Sequence, residues 1–182
     1  MTQQDPTETF ALSVRAFAEW VVKSKESGAP AARQLLVMLL NLYSQCLALP
    51  SRNPTTSPEK RQQIKGEFTL IYRKGKRLPV GYYGEVFDPL PVPPQEPVVG
   101  DLSDDLADIY FELVSGLQLY DRNQIDDAVW TWKFGLESHW GEHATGAIRV
   151  LHCWLARNYE LGVFPAKQVR RRKTSNSAIR PK

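Results

Sequence analysis

The stretch that decides the fold is Ala128–Leu155, AVWTWKFGLESHWGEHATGAIRVLHCWL, which carries four of the five tryptophans and all three histidines, His139, His143 and His152. Its apolar residues recur with helical rather than strand spacing. Ile125, Ala128, Val129, Trp132 and Leu136 share one face, with Trp130 and Phe134 on another. A helix apolar on two faces is expected to be sandwiched between neighbours. After Gly141, the expected break, Ala144, Ala147, Ile148, Leu151, Trp154 and Leu155 fall in register as a further helix.

Working outward, the same periodicity dominates the chain. Phe10, Val14, Phe17 and Val21 mark a first helix near Thr7–Lys25. A second opens at Gly28-Ala29-Pro30 and ends near Pro50. Ser57-Pro58-Glu59 reads as an N-cap with proline at the first helical position of a third helix, which runs to about Arg73. Ser103 is the expected N-cap of a fourth, whose buried stripe is Leu102, Leu106, Ile109, Leu113 and Leu117. Asp101, Asp104, Asp105, Asp108 and Glu112 lie on its other side, a face open to three readings: a metal-binding or base-recognising surface, the more common solvated stripe, or a stripe offset by the basic third helix.

Between the third and fourth helices, residues 78–100 show no helical pattern, and FDPLPVPPQEPVVG holds five prolines. Tyr82, Tyr83, Val86, Phe87, Leu90, Val92, Val98 and Val99 are too apolar for a freely solvated spacer, so an ordered strap over the helices is expected. No β-hairpin or glycine-rich phosphate loop is read anywhere. The expected fold is therefore all-α, about six helices in antiparallel hairpins crossed by a proline-rich strap, with one domain over 1–166.

The chain has 182 residues, 42% hydrophobic and 24% charged, and a net charge of +3 that hides strong segregation. Residues 167–182 hold seven basic side chains and no acid, reading as a disordered basic tail; without it the body is acidic. Neither a secretory leader nor a membrane span is read, and Cys46 and Cys153 lack metal-ligand spacing. These point to a cytoplasmic protein with two buried, reduced thiols.

Two resemblances refine this. Tyr110–Gly141 resembles one tetratricopeptide unit, with Gly116 at the helix crossing, Asn123 in the turn, and Ala128 and Trp132 on the second helix; the terminal proline is replaced by Trp140. GYYGEVFDPLPVPPQEPVVGDLSDDLADIY with AVWTWKFGLESHWGEHA, within Tyr82 to His152, resembles the bacterial family called domain of unknown function 5063. That resemblance implies an all-α fold and a bacterial cytoplasmic protein, and it supplies no activity.

For function, the expected surface is the corner between the fifth and sixth helices: Trp130, Glu137, His139, Trp140, His143 and Arg149. Aromatics would supply contact area and polar groups orientation for a protein partner or a small polar ligand. A recess for an anionic or amide group is expected, with no cofactor. The alternative is a metal-dependent enzyme centred on His139 and His143, an H-x-x-x-H spacing that a break at Gly141 would spoil. A further alternative is weak nucleic-acid binding by the tail. No membrane contact is expected, and segregated charge also suits a homo-oligomer.

Overall fold

The computed structural model describes residues 5–55, 65–158 and 160–162. It contains six helices and one short hairpin: α1 (Pro6–Lys23), α2 (Gly28–Leu47), α3 (Lys65–Gly75), β1 (Tyr82–Glu85), β2 (Val98–Asp101), α4 (Leu102–Asp121), α5 (Ile125–Ser138) and α6 (Trp140–Arg157). The Ser57 cap expected for the third helix and the basic tail lie outside the described residues. No described helix is long and apolar enough to cross a membrane.

Each helix forms where its apolar stripe finds a partner. The Asp5 carboxylate caps α1 by accepting from the Thr7 N–H, with Pro6 opening the helix, and Phe10, Val14, Phe17 and Val21 are buried. The central element is α4, which packs against α1, α3, α5 and α6, while α2 closes the far side against α1, α5 and α6. Buried residues from all six helices join in one cluster.

Two tryptophans lie at its centre, fully buried. Trp132 meets Phe10 edge to face at 4.9 Å and donates its indole N–H to the Leu113 carbonyl at 2.9 Å. Trp140 donates likewise to the Trp132 carbonyl at 2.9 Å. Both indoles are thus hydrogen-bonded, as buried donors must be. Gly116 makes this possible, because a methyl group there would strike the Trp132 ring. Asn123 occupies the left-handed region at φ 62° in the α4–α5 turn, as expected of asparagine there.

Four expectations need correction. Residues 82–101 form an antiparallel β-hairpin, with Tyr82 opposite Asp101 and Glu85 opposite Val98, where no hairpin was expected. Its proline-rich loop does not lie over the helices: Phe87 is 63% exposed, Leu90 86% and Val92 93%. Apolar composition alone did not reveal burial, since exposed apolar side chains are common and this loop projects beyond the two paired strands. At α4, Asp101 rather than Ser103 is the cap, accepting from the Ser103 N–H at 2.9 Å. Finally, Cys153 is exposed, and only Cys46 is buried, where loss of solvent pushes its thiol up to about 12.

One contact joins the end of α3 and the residue just after it to the start of α4. Tyr72 donates its hydroxyl to Asp101 at 2.7 Å, and Lys76 lies 3.6 Å from the same carboxylate. Burial raises the Asp101 carboxyl, yet Tyr72, the Ser103 N–H and Lys76 together hold it below its ordinary value.

Candidate functional site

Asp104, Asp108 and Glu112 recur every four residues on α4, so they share one stripe, with Asp105 beside it. That stripe faces the α5–α6 corner rather than open solvent. The chain breaks at His139, whose backbone (φ −158°, ψ −75°) ends one helix and precedes the next. The sequence reading placed this break at Gly141, but Gly141 lies in the first turn of α6. A side chain there would meet the Leu136 carbonyl, so glycine serves close packing.

With the break at His139, the two histidines converge instead of being separated. Their ring centroids are 4.7 Å apart. Each has its Nδ1 atom against a carboxylate of α4: His139 lies 2.7 Å from Glu112, and His143 lies 2.9 Å from Asp105. A neutral imidazole that donates from Nδ1 to its carboxylate keeps the Nε2 lone pair, whereas a protonated one carries a proton on both nitrogens. The Nε2 atom of His143 is 3.7 Å from Asp108 Oδ2. One ligand-capable atom from each of Asp108, His139 and His143 lies within 4.8 Å of the others.

A second wall comes from the hairpin. Tyr83 donates its hydroxyl to Asp105 Oδ2 at 2.8 Å, so Asp105 joins β1 to α6. Gly146 admits this wall, since a methyl group there would lie 2.8 Å from the Tyr83 hydroxyl and collide with Glu85. Gly135 similarly gives Glu112 its place, because a methyl group at that position would strike the Glu112 carboxylate.

The electrostatics follow from this crowding. Burial pushes the carboxyls of Glu85, Asp104, Asp108 and Glu112 above their usual range, and neighbouring carboxylates push the same way. The hydrogen bond to Asp105 raises the His143 imidazole against the opposing effect of burial. Among the described residues, the ion pairs of Asp105, Asp108 and Glu112 are with these two histidines. The recess is strongly acidic and favours added positive charge.

The six expected surface residues therefore divide. His139 and His143 are brought together. Glu112, not Glu137, is the carboxylate partner of His139. Trp140 is fully buried in the core. Trp130 and Glu137 line a separate groove of about 160 Å³ with Ser51, Arg52, Lys133 and Phe134. There Trp130 stacks on Phe134 at 4.7 Å, and Phe134 is 53% exposed, so this second face of α5 is not sandwiched as expected. Arg149 is exposed, and at 100° per residue it is turned well away from His143 on α6. His152 is also exposed.

Asp105, Asp108, Glu112 and Tyr83 were absent from the expected site. The four-residue acidic spacing was visible in the sequence, but nothing local linked it to the histidines about thirty residues later.

A sequence model described as a domain of unknown function (DUF5063) matches residues 2–157. Among solved structures, the chain is similar to protein BF1032 from Bacteroides fragilis, with a TM-score of 0.63 and 18% identity over 83% of this chain and 95% of that one. At that identity the likeness bears on the helical fold alone. No curated protein matches the chain.

Proposed function

The chain belongs to the DUF5063 family, and from the geometry of its own recess we propose that it is a binding module taking a cationic ligand between α4 and the α5–α6 corner. The observation that carries this reading is the concentration of Glu85, Asp104, Asp105, Asp108 and Glu112 around two histidines, with four of the carboxyls raised by burial. A cation that replaces shared protons relieves that crowding. The sequence reading expected an anionic or amide group; the acidity of the walls argues for the opposite sign. A non-catalytic role is part of the proposal.

The test is a thermal-shift and calorimetric panel of cations, covering divalent metals, polyamines and guanidinium compounds, with anions as controls. At least one cation is expected to bind wild-type protein and to lose most of its affinity in Asp108→Asn. Failure of every cation, or equal binding by the variant, contradicts the reading.

A protein partner at the neighbouring groove is a second reading. It is supported by the exposed Trp130–Phe134 stack beside Arg52 and Lys133, since aromatic rings and arginine are frequent anchors of interfaces. Loss of a partner on Trp130→Ala, with His143→Ala without effect, would favour this reading over the recess.

A further inference from the structure

We propose that the cation is a first-row divalent transition metal, held by Nε2 of His139, Nε2 of His143 and the carboxylate of Asp108. This rests on the reading of the recess as a cation site and names its ligand. Three observations carry it. First, both imidazoles already stand as metal-ligating histidines do, with Nδ1 held by a carboxylate, Glu112 for one and Asp105 for the other. Such outer partners fix the tautomer and ring orientation and make Nε2 the better donor. Second, one ligand-capable atom from each of Asp108 on α4 and His139 and His143 at the α5–α6 corner lies within 4.8 Å of the others.

Third, one donor pair already stands near the spacing of two ligands on a small metal ion. His143 Nε2 and Asp108 Oδ2 are 3.7 Å apart. Two donors on a tetrahedral ion at about 2.05 Å are separated by about 3.3 Å. Two acceptors around an ammonium nitrogen at about 2.8 Å are separated by about 4.6 Å. The observed distance is nearer the metal value.

Closing the set requires movement chiefly of His139. Its side chain is 48% exposed at the helix break, so its ring has room to turn. Two imidazoles and one carboxylate suit zinc, iron, manganese or nickel, whereas magnesium and calcium prefer oxygen donors throughout. Three protein donors leave at least one position for water or an added ligand, on the solvent side where His139 lies.

The experiment uses the full chain stripped with chelator and titrated calorimetrically with zinc chloride. Parallel titrations use magnesium, calcium and spermidine. One zinc per chain is expected, with magnesium and calcium at least about 100-fold weaker given the donor set. His143→Ala and Asp108→Asn should each weaken zinc by about 100-fold or more, beyond the roughly 10–100-fold typical of outer partners. His152→Ala, on the exposed part of α6, should leave it unchanged. His143→Gln, checked by circular dichroism, serves if the alanine variant fails to fold. Absence of zinc binding, or equal zinc binding by all variants, overturns the proposal. If spermidine binds in an Asp108-dependent way while zinc does not, the metal is overturned and the cation site stands. If no cation of the wider panel binds either, both fall.

Discussion

The Nδ1 atom of His143 lies 2.9 Å from Oδ1 of Asp105, a carboxylate 4% exposed between α4 and α6. The other oxygen of that carboxylate accepts from the Tyr83 hydroxyl at 2.8 Å. One buried side chain therefore sets the orientation of the imidazole and anchors the hairpin. Asp105→Ala should cost about 1–3 kcal/mol, since it leaves polar partners in a poorly solvated place. It should also weaken zinc by about 10–100-fold, as loss of an outer partner does. Chemical denaturation and calorimetry of the same sample read the two effects. Unchanged zinc affinity would mean that the His143 ring is oriented by something else.

The hairpin is held at its base and free at its tip. Tyr83→Phe removes its bond to Asp105, and Gly146→Ala intrudes on Tyr83 and Glu85. Both are expected to speed amide exchange across Tyr82–Glu85 and Val98–Asp101 while leaving the helical core protected. At the tip, Phe87 is 63% exposed, so Phe87→Ala should cost below about 1 kcal/mol, a fraction of the 1.5–3 expected for full burial. A cost above about 3 kcal/mol would mean that the loop packs on a surface in solution.

The metal-free protein should be more stable at pH 5.5 than at pH 8. Its recess brings Asp104, Asp105, Asp108 and Glu112 on α4, Glu85 on β1, and His139, Glu142 and His143 at the corner to one region. His143 is raised above its ordinary 6.5, foremost by its bond to Asp105. Its contribution is complete below that value and is lost as pH rises through the folded one. Asp104 and Asp108 are raised above 3.8, and Glu85 and Glu112 above 4.5, chiefly by burial. The native state thus holds protons more tightly than the unfolded chain at all five groups, so stability falls as pH rises. Melting temperature against pH checks this, and Asp108→Asn combined with His143→Gln should flatten the slope.

At the core, Gly116→Ala should destabilise the protein by about 1–3 kcal/mol through overpacking, because the added methyl meets the Trp132 ring. Gly66→Ala is the control, with open space at its position in α3. A gain of no more than about 0.5 kcal/mol is expected there, below the helix-interior difference between the residues because Gly66 is the second residue of α3. Equal effects at both sites would show that the Gly116–Trp132 contact does not govern the α4–α5 crossing.

The helices were legible because their apolar stripes are periodic: Phe10 to Val21 and Leu102 to Leu117 are buried as read. Asn123 and Gly116 were legible for similarly local reasons, a tolerated left-handed turn and a small residue at a crossing. The hairpin was not, because Tyr82–Glu85 and Val98–Asp101 are four residues each and separated by a proline-rich loop that hides their pairing. The site was half legible. Its histidines were found from composition and spacing, whereas Asp105, Asp108 and Glu112 meet them only through the packing of α4 on α6. Trp140 was misplaced because an indole beside a helix break reads equally well as surface or core; its hydrogen bond to the Trp132 carbonyl decides for core.

The most direct measurement is anomalous scattering from crystals of the chelator-stripped protein soaked in zinc, collected on either side of the zinc edge. One zinc peak is expected between His139, His143 and Asp108, with Nε2 of both rings as donors and Nδ1 still against Glu112 and Asp105. A recess without a zinc peak in well-diffracting soaked crystals, or zinc bound only at surface residues elsewhere, would contradict it.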